Sequence, residues 1–174
     1  MVSFSQIITG WQPFYSTIAE AAATLLGLLF VAVSLNRAHL DLEENAHLMS
    51  LARQTFATYL FILTFSITVL IPKQSGKGLG IPLTCIGVYG LYLVLREMAL
   101  HVRKINVSVS LKRYGWSLLA FILMISSSIH VIAHEDSGSL YHMVSSMFML
   151  LVSATKSSWI LLVEIRSTKT ASHN

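Results

Sequence analysis

Five apolar stretches, Phe14–Leu35, Phe56–Ile71, Ile81–Leu95, Trp116–Ala133 and His142–Val163, follow one another along this 174-residue chain. Nothing else constrains its fold as tightly. The full charges inside them are Glu20 and Lys156. Hydrocarbon offers no partner to a backbone N–H or C=O, and the helix satisfies both within one segment. Runs of this length suit helices crossing a core about 30 Å thick. The expectation is an all-α integral membrane protein with five transmembrane helices. With 54% hydrophobic and 11% charged residues the chain is too apolar for an ordinary soluble domain. Its net charge of +4 does not point to nucleic acid, because the basic residues do not cluster with exposed aromatics.

Those basic residues follow the spans instead. Arg37, Arg53, Arg96, Arg103, Lys104, Lys112, Arg113, Arg166 and Lys169 fall on one side, and Lys73 and Lys77 on the other. The positive-inside rule then predicts an external N-terminus and a cytoplasmic C-terminus. The Arg96–Arg113 link would attract anionic lipid head groups. No basic residue precedes the first span, so it is expected to stay in the mature protein. Residues 1–13, with Ile7, Ile8 and Trp11, read as an interfacial segment, 14–165 as the transmembrane domain and 166–174 as a disordered tail. Asp41-Leu-Glu-Glu44 has capping-box spacing, which predicts a helix start there and second and third helices that extend into the cytoplasm. Pro72 and Gln74–Gly80 predict a flexible turn, with Pro82 in the first turn of the next helix. A single cysteine, Cys85, precludes an internal disulfide.

Within the first span, residues 21–35 read Ala-Ala-Ala-Thr-Leu-Leu-Gly-Leu-Leu-Phe-Val-Ala-Val-Ser-Leu. This alanine-rich start, Leu-Gly-Leu core and Phe-Val-Ala-x-Ser-Leu end resembles the first helix of uncharacterised bacterial multi-span inner-membrane proteins. The resemblance covers those residues alone. It implies a bacterial inner membrane and brings no activity and no site residues with it.

The polar residues inside the spans suggest chemistry. His142, Ser146, Met149, Ser153 and Lys156 recur at steps of four and three, so they share one helical stripe. A cation at bilayer depth costs about 2.5–3.5 kcal/mol on insertion scales, which predicts that Lys156 faces protein or water. Thr17, Glu20 and Thr24 form a second stripe, and Ser126, His130 and His134, with Ser127 beside them, a third. Serines and threonines in spans ordinarily bond their own backbone or a neighbouring helix, whereas ionisable groups there are functional by default. The leading expectation is a small oligomeric channel or transporter. Its outward-facing polar path would run past Glu20, Thr24, Ser127, Ser146 and Ser153 to Lys156, whose charge favours anions. Ala19, Ala23 and Gly27, four apart, offer a close-packing face suited to a homo-oligomer.

Two other readings stand beside it. His130 and His134 can reach one ion, with Glu20, His142, Glu135 or Asp136 completing the shell, and the absence of a thiolate set favours zinc, copper(II) or nickel. The plainer reading of those histidines is an interfacial, partly solvated helix end, and nothing in the sequence requires a cofactor. The third reading is a non-conducting interaction or regulatory protein. Ser126-Ser-Ser128 lacks a G-x-S-x-G elbow, so an enzyme is not expected.

Overall fold

The structure, a computed structural model, describes residues 4–42, 45–102, 107–134 and 138–171. They form α1 (Phe4–Leu35), α2 (Arg37–Leu40), α3 (Ala46–Leu70), α4 (Gly76–Val102), α5 (Val107–His134) and α6 (Gly138–Ala171). Apart from the single turn of α2, each is long and apolar enough to cross a membrane. The fold is therefore all-α with five candidate spans among the described residues, and the chain is an integral membrane protein.

The helices pack in the spatial order α1, α3, α6, α5, α4, and the last returns to touch α3 lightly. α1 lies against α3 and reaches the edge of α6, where Trp11 meets Tyr141 edge-on at 5.0 Å and Phe14 meets Phe148 at 5.9 Å. This aromatic cluster has the composition of an interfacial belt. Tyr15 against Phe65 joins α1 to α3, and Phe61 against Phe121 joins α3 to α5 across the centre. The outward faces carry large apolar side chains such as Phe30, Ile67, Val88, Ile122 and Val152 on all five spans. In water such a surface would be an interaction patch; here it is what lipid covers.

The closest approach is between α4 and α5. A Cβ added to Gly80 would meet the Ser128 carbonyl oxygen at 2.9 Å and Ile132 nearer still, and one added to Gly87 would meet Ile125 at 2.8 Å. At Gly90 it would run into the Phe121 ring. Association between apolar helices in lipid gains little from hydrophobic burial, so small residues that let backbones approach decide the partners. Gly27, in the small-residue face expected to pack, meets nothing within 4 Å.

Several helix ends differ from expectation. Asp41 closes a turn instead of opening one: its backbone N–H donates to the Arg37 carbonyl at 2.9 Å, and Arg37 Nε donates to its Oδ2 at 3.4 Å. α3 then begins at Ala46, after Asn45, whose side chain makes no cap bond; Glu43 and Glu44 lie outside the described residues. At 1.5 Å per residue the 25 residues of α3 still span about 37 Å, more than the hydrocarbon core. α1 runs without a break from Phe4 through Pro13, so the segment expected at the interface continues the first span. Membrane helices tolerate such a proline; one turn on, the Thr17 hydroxyl donates to the Pro13 carbonyl at 2.9 Å.

The turn between α3 and α4 is short because Lys73 adopts left-handed geometry, φ 57°, and Gln74 Nε2 donates to the Thr68 carbonyl at 2.8 Å. Ser75 Oγ accepts the Gly78 N–H at 3.1 Å, capping α4 and drawing the glycine stretch into helix. Pro82 thus sits inside α4 and not in its first turn. At the far end α6 continues as helix over Arg166–Ala171, where a disordered tail is expected; residues 172–174 lie outside the described residues.

Candidate functional site

The charged residues of the spans lie on the outside of the chain. α6 buries Met143, Met147, Leu150, Ala154 and Leu161 and exposes Val152, Lys156, Trp159, Ile160 and Val163. Lys156 therefore does not face the interior as its stripe suggests. On α1 the buried side holds Tyr15, Ile18, Ala22 and Leu29. Glu20 points the opposite way, exposed together with Thr17, Ala23, Thr24 and Gly27, while Ala19 is half-buried. The Ser16 hydroxyl donates to Glu20 Oε1 at 3.2 Å, and the Thr24 hydroxyl to the Glu20 carbonyl at 2.8 Å.

The serines behave differently. Ser127 and Ser146 are buried and donate to the carbonyls of Leu123 and Met143 at 2.8 and 2.7 Å. Ser153 is half-buried and shares a 3.0 Å hydrogen bond with Ser117 of α5. Tyr59 of α3 lies 3.4 Å from the Thr155 hydroxyl and 3.3 Å from that of Ser158. The Ser117–Ser153 and Tyr59 contacts join spans, whereas the Ser127 and Ser146 bonds stay within their own helices. Within one chain the serines of the expected path face inward, Ser127 and Ser146 onto their own backbone, whereas Thr24, Glu20 and Lys156 face outward.

At the opposite end of the bundle from Arg53 and Arg166, the His130 and His134 rings lie 4.6 Å apart on α5, and His134 and His142 are exposed. Among the described residues no group of three His, Cys, Asp or Glu side chains is placed to hold a metal ion. Glu135 and Asp136, two of the expected ligands, lie outside those residues. Of the basic link, Arg96 is exposed on α4, Arg103 and Lys104 lie outside the described residues, and the side chains of Lys112 and Arg113 are not described.

A second feature went unmarked in the sequence. α3 and α4 leave their tight turn and touch only lightly beyond it. Between them runs a groove made of two joined cavities, about 260 Å³ towards the Arg53 end and about 510 Å³ nearer the turn, sharing Ala57, Phe61 and Leu93. The first is lined by Ser50, Arg53 and Gln54 from α3, by Glu97 from α4 and by Phe121 behind them. The second is apolar, with Leu60, Ile86, Tyr89 and the exposed Cys85 along its walls. Arg53 and Glu97 stand 44 positions apart in sequence (97 minus 53), near the ends of different apolar runs. No periodicity connects them; only the departure of α4 from α3 does.

No protein-family model, curated protein or solved structure matches this chain.

Proposed function

We propose that the protein is a small oligomeric membrane channel or transporter whose polar path lies between copies of the chain. The observation that carries this is Glu20, an ionisable group on the outward face of a membrane-spanning helix, set among the small side chains of Ala23 and Gly27. A carboxylate left to lipid is costly, and such groups normally face a bundle interior or a water-filled cavity. The single chain offers Glu20 neither, whereas a second copy seated on this face supplies both. Lys156, on the outward flank of α6, lies deeper in the membrane; in a narrow low-dielectric passage its charge favours anions over cations. The orientation in this reading is N-terminus outside and C-terminus in the cytoplasm, in a bacterial inner membrane, with the Arg96–Arg113 link against anionic head groups.

Reconstitution into planar bilayers tests it. Wild type is expected to conduct with an anion-selective reversal potential in asymmetric chloride, and Lys156→Gln to lose that preference. Glu20→Leu is expected to lower the oligomer fraction measured in nanodiscs. A non-conducting wild type whose oligomer resists Glu20→Leu would sink the reading and favour an interaction protein. The close His130–His134 pair favours a second reading, a divalent transition-metal site at that end of the bundle, completed by Glu135 or Asp136, which follow next in the sequence.

A further inference from the structure

We propose that the α3–α4 groove holds one zwitterionic aminophospholipid, its phosphate on Arg53, its ammonium on Glu97 and an acyl chain along the apolar cavity. The charges come first. Arg53 on one wall and Glu97 on the other both line the head of the groove and form no ion pair with each other. The head thus presents one positive and one negative group on facing helices. A guanidinium binds a phosphate through paired N–H donors. A carboxylate accepts from a primary ammonium, which brings three N–H donors, and repels a second negative charge. Ser50 and Gln54 add neutral hydrogen-bonding groups at the same level.

The rest of the groove has the polarity and length of a lipid tail. Past Thr58 its walls are Leu60, Phe61, Ile86 and Leu93, with Thr64 at the far end. Thr64 already donates to the Leu60 carbonyl at 2.8 Å, so it presents little unsatisfied polarity. From Arg53 to Thr64 is 11 residues of helix, about 16 Å at 1.5 Å per residue. That is about half of a 30 Å hydrocarbon core, the depth of a single leaflet. Leu60 and Tyr89 at the rim are 46% and 58% exposed, so the groove opens sideways towards lipid and a molecule can enter without leaving the bilayer. An anionic phospholipid would meet Glu97, and a choline lipid carries no N–H to give it.

Native mass spectrometry of the full-length protein, delipidated in mild detergent and titrated with phosphatidylethanolamine, phosphatidylcholine or phosphatidylglycerol, reads this directly. One phosphatidylethanolamine per chain is expected, about tenfold tighter than either competitor. Glu97→Gln is expected to bring phosphatidylethanolamine and phosphatidylcholine to parity while leaving phosphatidylcholine binding in place. Arg53→Gln is expected to weaken all three about tenfold, and Ala57→Phe, which fills the shared waist, to abolish binding in a chain whose helical circular dichroism is unchanged. Equal binding of the three lipids, preference for phosphatidylglycerol, or an ethanolamine preference that survives Glu97→Gln would each overturn the assignment.

Discussion

Replacing Gly80 with alanine adds one methyl group where α5 leaves no room for it. The new carbon would stand 2.9 Å from the Ser128 carbonyl oxygen, a backbone atom that cannot rotate aside, and nearer still to Ile132. Restoring 3.4 Å to the carbonyl requires α5 to retreat by roughly 0.5 Å (3.4 minus 2.9), and Ile132, nearer still, must leave its preferred rotamer as well, which a β-branched side chain in a helix does reluctantly. Overpacking of this kind costs about 1–3 kcal/mol. Alanine also favours the helix over glycine by about 1 kcal/mol, so the net effect of Gly80→Ala alone is small and hard to interpret. Gly27→Ala supplies the reference. Gly27 lies within α1 and a Cβ there meets nothing within 4 Å, so it gains the propensity without the clash. In the difference between the two variants the propensity cancels, leaving about 1–3 kcal/mol against Gly80→Ala. Equilibrium unfolding of the monomer in mixed detergent–SDS micelles measures that difference. A Gly80→Ala chain as stable as Gly27→Ala would mean that α4 and α5 do not approach as described, and would remove the basis for the helix order.

Three further outcomes are expected. Tyr59→Phe removes the hydroxyl contacts to Thr155 and Ser158, and unfolding in the same micelles should show a loss of about 0.6 kcal/mol, the usual worth of an interhelical hydrogen bond in a membrane; a loss above about 2 kcal/mol would show that these hydroxyls anchor a larger polar network. Reporter fusions at the two termini should read external at the N-terminus and cytoplasmic at the C-terminus, and the reverse pattern refutes the orientation. If the paired histidines bind metal, equilibrium dialysis should give one zinc per wild-type chain and none after His130→Ala, whereas a zinc-free wild type ends that reading.

The five spans were legible because each apolar run is long and, apart from the uncharged entry to the first, is flanked by charged residues, and bilayer thickness leaves such segments few alternatives. Facing was not legible. The stripe from His142 to Lys156 takes in the buried Ser146, the half-buried Ser153 and the exposed Lys156, and periodicity does not say which side is buried. In water the apolar side would turn inward, but lipid is as apolar as a protein core. α6 therefore buries Met147 and Ala154 and exposes Val152 and Trp159 with no contrast in hydrophobicity to announce it. Helix ends failed for a local reason: Asp41 has cap spacing towards Glu44, but Arg37, four residues earlier, holds it in a turn of its own. The glycines from Gly76 to Gly80 read as a flexible turn, but the Ser75 cap opens a helix there and Gly80 fits against α5, a tertiary contact that periodicity does not carry. The groove needed Arg53 and Glu97 to be brought level, which is again a matter of how two helices diverge.

Cys85, placed on the apolar wall of that groove and exposed, is the one thiol in the sequence. The native chain thus carries a unique attachment point for a nitroxide at a fixed level between α3 and α4. In wild-type protein each copy would hold one spin, so dipolar coupling between spins gives the spacing of neighbouring copies with no engineered residue. The same label, immobilised or freed as different lipids are added, turns the groove into its own spectrometer.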